Sequence, residues 1–225
     1  MLVVMPVESM IYDPDRALAL VYAPAAARAA LATLWRLDEA LAQVVRTTSE
    51  PLVGRMRLTW WHDALLALAE KPAPAEPLLR DVEAHLKPHI RLERLAPLID
   101  GWEALLDPLP LAADAIADHA AGRGEAMFAV AVDLLGGSRE ARFIEAGRLW
   151  ALADLAGHVS DPETAERARQ AGRAAIAGLP RRWPRHLRAI GALAVLARGD
   201  LEGKGRPRGS PARTLRALGH RLSGY

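Results

Sequence analysis

Apolar residues recur along this chain at intervals of three and four, and alternation of period two is scarce, so the pattern predicts helices throughout and no strand meander. Asp13-Pro14 opens a first helix with an N-cap and a proline at the first helical position, and Pro24 opens a second that runs to about Arg46. Ser49-Glu50-Pro51 starts a third, ending near Lys71 where KPAPAEP forms a loop. Further helices are expected near 76–87, 91–106, 111–135, 138–158, 162–177, 184–198 and 211–222. Gly136-Gly137 reads as a C-cap and Ser138 as the next N-cap. The segment GDLEGKGRPRGSP, Gly199 to Pro211, is rich in glycine, proline and charge and reads as a mobile linker. No fixed-period repeat is present, which argues against a solenoid. The fold class is therefore all-α, with a core expected from the helices at 24–46, 51–71, 111–135 and 138–158. The expected organisation is a helical domain over 1–198, followed over 199–225 by a basic linker and a short C-terminal helix.

Composition sharpens this picture in two ways. At 225 residues, 51% of them hydrophobic, the chain can bury one sizeable core. It contains no cysteine, which removes disulfides, thiolate metal sites and cysteine nucleophiles. The start, MLVVMPVESM, has neither a basic n-region nor a long apolar stretch, and no window approaches the roughly 20 apolar residues of a spanning helix. The expectation is a soluble cytoplasmic protein, or one peripheral at the inner face of a membrane. Net charge is +2, but Arg181 to Tyr225 carries +9 and the rest of the chain −7. A basic tail on an acidic body suits an anionic partner such as a membrane surface, nucleic acid or an acidic protein, or is simply solvated.

Candidate chemistry is sparse when read from the residues. In GRMRLTWWHDAL, Leu58, Trp61 and Leu65 share a stripe with Arg57 and Trp60 beside it, so at least one indole should pack inward on an amphipathic core helix. Asp154 and His158 stand four apart on a helix, a spacing that binds metals but more commonly makes a hydrogen bond at a helix end, with Asp161-Pro162 capping the next helix. Asp114 and Asp118 share that spacing but sit in the first turns of a helix and read as surface. No serine has a G-x-S-x-G setting, and no P-loop or G-x-G-x-x-G follows a strand. PRRWPRHLR and GKGRPRGSPARTLRALGHRL could neutralise phosphates, yet no helix-turn-helix or zinc-finger pattern accompanies them, and they would serve anionic lipid equally.

The order of four stretches adds more. YDPDRALALVYAPAAARAALATLWRLDEALAQV, then GRMRLTWWHDAL, then LIDGWEALL at Leu98 to Leu106, then AGRLWALADLAGHVSD at Ala146 to Asp161, resembles the squalene/phytoene synthase family. The resemblance covers about two thirds of the chain, and its most specific part is the RLxWW stretch. It implies an isoprenoid-synthase-like helical bundle around an apolar central cavity that holds prenyl chains. It places Arg57, Trp60, Trp61, Met127 and Trp150 on the cavity wall. In active members two acidic motifs face each other across the cavity and hold a diphosphate through Mg²⁺, which wants several carboxylate oxygens.

Those motifs are altered here. The D-D-x-x-D positions fall on Ala42, Gln43, Val44, Val45 and Arg46, and a shifted register enlists Asp38 and Glu39 without an acid at Ala42. In the second motif Asp154 stands near an asparagine position, Gly157 replaces an arginine and His158 an aspartate. His119 stands where the family often has an aromatic hydroxyl, and GRGE at Gly122 to Glu125 matches a small-residue kink that makes room without supplying chemistry. The candidate catalytic residues are thus Asp38, Glu39, Asp154 and His158, with no metal or cofactor expected. One branch fits: proteins similar to the mitochondrial complex I assembly factor of this fold, which carry stretches like ALAQV and GRMRLTWW. The expectation is a catalytically degenerate protein that acts in respiratory-complex assembly or as a lipid-binding accessory. Its partners would be an isoprenoid or lipid-like ligand, a membrane surface or a respiratory-complex subunit. An active Mg²⁺-dependent prenyltransferase and nucleic-acid binding through the basic C-terminal region are the alternatives.

Overall fold

The computed structural model describes residues 13–225, so the reading of the first residues as free of a signal segment, and Tyr12 in the first matching stretch, lie outside it. Helices account for all the regular structure among the described residues, and no strand occurs. None of these helices is long and apolar enough to cross a membrane.

Local chemistry sets most boundaries. Asp13 caps α1 (Pro14–Tyr22), its carboxylate accepting from the Asp15 amide at 2.8 Å. Pro24 precedes α2 (Ala25–Arg46), and Pro51 opens α3 (Pro51–Ala67), which stops short of the expected Lys71. Next come α4 (Pro77–His85) and α5 (Ala96–Glu103), the latter between single turns of 3₁₀-helix. The expected helix over 111–135 is three pieces: α6 (Ala113–His119), a π-helical segment (Ala120–Glu125) and α7 (Ala126–Leu134). Gly136 takes the left-handed conformation that ends α7, with φ +68°. Ser138 is not the following N-cap; α8 (Ala141–His158) begins after Glu140, and the Ser138 hydroxyl donates to the Glu140 carboxylate. Asp161 does cap α9 (Pro162–Ala175), accepting from the Thr164 amide at 2.7 Å. The last two helices are α10 (Arg188–Leu201) and α11 (Pro211–Ser223).

The core differs from expectation in one helix. α3 buries only Gly54, Leu58 and Leu65, whereas α10 buries eleven of its 14 residues, Ile190, Leu193 and Leu196 among them. The reason is volume: Ala189, Gly191, Ala192, Ala194 and Gly199 let α10 approach α8 and α11 closely, and the large side chains of α3, Arg55, Met56, Arg57 and Trp60 among them, do not. α8 lies at the centre, against the π segment, α7, α9 and α10, while α2 packs against α4, α5 and α7. Gly199 to Leu201, expected to begin a linker, are the last residues of α10. The loop after them folds back on the bundle, with Arg208 donating to Asp13 and to Asp154.

Close backbone approach positions the middle of the bundle. A Cβ on Gly101 of α5 would lie 2.3 Å from the Arg123 nitrogen, and one on Gly124 would lie 2.3 Å from the Gly147 carbonyl oxygen of α8. The π turn is thus pressed against α5 on one side and α8 on the other, and Arg123 emerges between them.

Candidate functional site

Three arginines and two aspartates from five parts of the chain meet beside a cavity of about 530 Å³. Asp38, on the inward stripe of α2 with Leu34 and Leu41, is fully buried. Its Oδ1 accepts from Trp102 Nε1 at 2.7 Å and Arg123 Nε at 3.0 Å, and its Oδ2 from Arg16 at 2.5 Å and Arg123 Nη2 at 3.0 Å. The Arg123 fork on Asp38 is therefore bidentate, and Arg123 Nη1 turns away to donate to Asp154 Oδ2 at 2.7 Å. Asp154 Oδ1 accepts from Arg208 at 2.8 Å, and His158 Nδ1 lies 3.1 Å from the same oxygen. The Arg123 guanidinium is held between two indoles, 4.3 Å from Trp102 and 4.5 Å from Trp150.

Electrostatics follow from this geometry. Burial by itself would raise the Asp38 carboxyl, but Arg123 and Arg16 outweigh it and hold the group below the ordinary carboxylate value. The same contest leaves Asp154 well below that value, with Arg123 and the His158 hydrogen bond prevailing over burial. The His158 imidazole is raised by its bond to Asp154. His119 behaves oppositely: burial first, and Arg123 second, push it down to about 4. Its Nδ1 lies 2.7 Å from the Gly101 carbonyl, so the neutral ring donates there and Nε2 is left as a buried acceptor with no partner among the described residues. Arg16 Nε is orphaned in the same way.

The cavity is lined by apolar Ala42, Val45, Leu105, Leu109, Leu111, Leu155 and Val159, with Glu39, Arg46, His119, His158 and Arg208 among them. Of the sequence candidates, Asp38 and Asp154 come together on Arg123, and Glu39 and His158 line the cavity. Glu39 is occupied by Arg46. The His158–Asp154 pair makes the helix-end contact favoured from the spacing, with Nδ1 also 2.8 Å from the Asp154 backbone oxygen. Asp114 and Asp118 are exposed as expected.

The residues expected on the wall lie elsewhere than in the lining of this cavity. Trp61 is partly buried against the core, but Trp60 is 49% exposed on the far side of α3, and the two rings meet edge to face at 5.1 Å. Arg57 is exposed and donates to Thr47 and Thr48, tying the turn between α2 and α3. Arg57 and Trp60 point away from the inward stripe of Gly54, Leu58 and Leu65, Trp61 packs beside that stripe on the core, and none of the three lines the cavity. Met127 is buried in the core away from the lining, and Trp150 stands behind the wall as a platform for Arg123 and Arg16. The GRGE segment lies in the π turn and delivers the charge at the centre of the site. Arg16, Trp102, Arg123 and Arg208 were not among the candidates. An arginine between two glycines inside an apolar helix, and an aspartate in the apolar stripe of α2, each imply a buried partner and were the available signal.

Mg²⁺ held by paired acids requires free carboxylate oxygens, and here all four oxygens of Asp38 and Asp154 already accept from arginine, tryptophan or histidine. No three His, Asp or Glu side chains among the described residues converge in a way that could hold a metal ion, so this donor set does not fit the ion. No curated protein and no solved structure matches the chain. The family model of squalene/phytoene synthase matches residues 11–188, from the residues before Asp13 to the first turn of α10, and the chain belongs to that family.

Proposed function

We propose that this member of the squalene/phytoene synthase family does not condense isoprenoid diphosphates. It holds an isoprenoid- or lipid-like molecule in its cavity and serves as an accessory to respiratory-complex assembly. The observation that carries the reading is Arg123, whose guanidinium takes up carboxylate oxygens of Asp38 and Asp154 that metal-assisted condensation would need free. The residues at the first acidic motif support it, since Ala42, Val45 and Arg46 bring no carboxylate to the cavity wall. Leu105, Leu109, Leu111, Leu155 and Val159 suit a hydrocarbon chain, and Arg46, His158 and Arg208 on the same wall suit a polar end. The assembly role rests on the resemblance of ALAQV and GRMRLTWW to the assembly-factor branch.

The test is incubation with farnesyl and geranylgeranyl diphosphate and Mg²⁺, following diphosphate release and thermal stabilisation together. Stabilisation without release is expected. Release that Asp154→Ala abolishes would overturn the reading and establish a prenyltransferase with a rebuilt site.

A further inference from the structure

α11 is built the wrong way round for a helix that merely packs on a core. Its inward side is Arg213, Ala217 and His220, at spacings of four and three. Arg213 is tied down by Asp15, through bonds of 2.8 Å, and by Asp200 at 2.6 and 2.7 Å. The opposite side carries Leu215, Leu218 and Leu222, which are 66%, 40% and 73% exposed. Tyr225 and, on the neighbouring α1, Val21 are also exposed. Single exposed leucines are ordinary, but an aligned row on a helix whose polar side faces the protein marks an interaction surface.

The charge around this row indicates what it meets. Arg198, Lys204, Arg208 and Arg213 are consumed by internal ion pairs. Arg181, Arg182, Arg185, Arg216 and Arg221 are exposed. Arg182 lies 5.5 Å from the Tyr225 ring, Arg221 lies 5.6 Å from the Tyr22 ring, and Arg182, Arg185 and Leu222 border one open groove. Leucines that favour hydrocarbon are thus ringed by guanidiniums that favour phosphate, the chemistry of a helix lying flat in a lipid interface. A second copy is a poor match, because two-fold pairing would set this basic rim against itself.

We propose that the outward face of α11, with the arginines beside it, docks on the surface of a bilayer containing anionic lipid. None of its residues lines the cavity, so the surface and the cavity reading stand or fall separately.

Sedimentation of the full chain with vesicles of phosphatidylcholine containing phosphatidylglycerol, and with phosphatidylcholine alone, tests this. Binding to the mixed vesicles that weakens with salt, and little binding to the neutral ones, is expected. Leu218→Ser with Leu222→Ser should lower the partition coefficient by at least about tenfold. Arg182→Gln with Arg185→Gln should lower it by about fivefold per arginine. Both doubles should keep the parent's melting temperature, since the substituted side chains lie outside the core. Failure to bind mixed vesicles, equal binding to both kinds, or indifference to the leucine change would overturn the proposal. So would a dimer, seen by sedimentation velocity, that Leu222→Ser dissolves.

Discussion

Arg123 makes two hydrogen bonds to Asp38 and a third to Asp154, and so joins α2 to α8 through one guanidinium that is 2% exposed. Burial opposes all three charges, and their mutual pairing, helped by Arg16 on Asp38 and His158 on Asp154, keeps them ionised.

Removing one member should therefore cost far more than the pair contributes. Arg123→Met leaves the buried Asp38 carboxylate with Arg16 as its one charged partner and strips a guanidinium from Asp154, and a loss of about 3–5 kcal/mol in urea unfolding is expected. Adding Asp38→Asn to Arg123→Met leaves the buried Arg16 without its carboxylate, so it should deepen the loss, though by less than Asp38→Asn costs alone. A double-mutant cycle gives the coupling, and additive losses would mean the pair is not acting as a unit.

His119 should give the protein a pH dependence of its own. Its folded value of about 4 lies below the ordinary 6.5, so below pH 6.5 the unfolded chain takes up a proton that the folded chain refuses. Stability from this group is then complete above pH 6.5 and falls as pH drops toward 4. Between pH 7.5 and pH 5 the loss is about 2 kcal/mol. The carboxylates Asp38 and Asp154, depressed when folded, add their own loss only at lower pH, below the unfolded carboxylate value of about 4. His158 acts in the opposite sense over this range in both proteins, so the reading is the difference between them: the urea midpoint should fall further from pH 7.5 to 5 in the wild type than in His119→Gln. Equal slopes would place the dependence elsewhere.

How much of this was legible in the sequence depends on the range of the physics. Asp13-Pro14, Pro24, Pro51 and Asp161-Pro162 mark helix starts through effects confined to one turn, and the helices begin there. The pairing of Asp38 with Arg123 spans 85 positions and that of Arg208 with Asp13 spans 195, and no local pattern encodes either. The resemblance supplied Asp38 and Asp154 but led to Trp60 and Arg57 as wall, because spacing along α3 gives the shape of its stripe and not which neighbour covers it.

The tryptophans should separate accordingly. Trp102→Ala removes a buried ring that stacks on Arg123 and a donor to Asp38, and about 3–5 kcal/mol of stability should go with it. Trp60→Ala trims a half-exposed ring and should cost less than about 1 kcal/mol. Comparable costs in thermal or urea unfolding would contradict the placement of α3 at the periphery.

The glycines offer a contrast within one helix. A Cβ on Gly147 would come within 2.1 Å of the Gly124 oxygen, so Gly147→Ala must push α8 off the π turn and disturb Arg123. A loss above about 2 kcal/mol is expected in urea unfolding. A Cβ on Gly157, in the last turn of the same helix, would meet nothing within 4 Å, so Gly157→Ala should be neutral or stabilise by up to about 1 kcal/mol.

His158 reports directly on the charges around Asp154. Its hydrogen bond to Asp154 raises its pKa, burial and Arg208 lower it, and the balance is a value above the ordinary one. A histidine raised in this way adds stability that is present below pH 6.5 and lost as pH climbs through the folded value. Asp154→Asn should bring the titration back toward 6.5, since the bond to an anion is gone. Arg208→Gln should move it the other way, further up, because a positive neighbour is removed while Asp154 remains. Imidazole proton shifts followed by NMR against pH read both directions in one experiment. If the two substitutions moved His158 in the same direction, the loop carrying Arg208 would not be seated on Asp154 in solution.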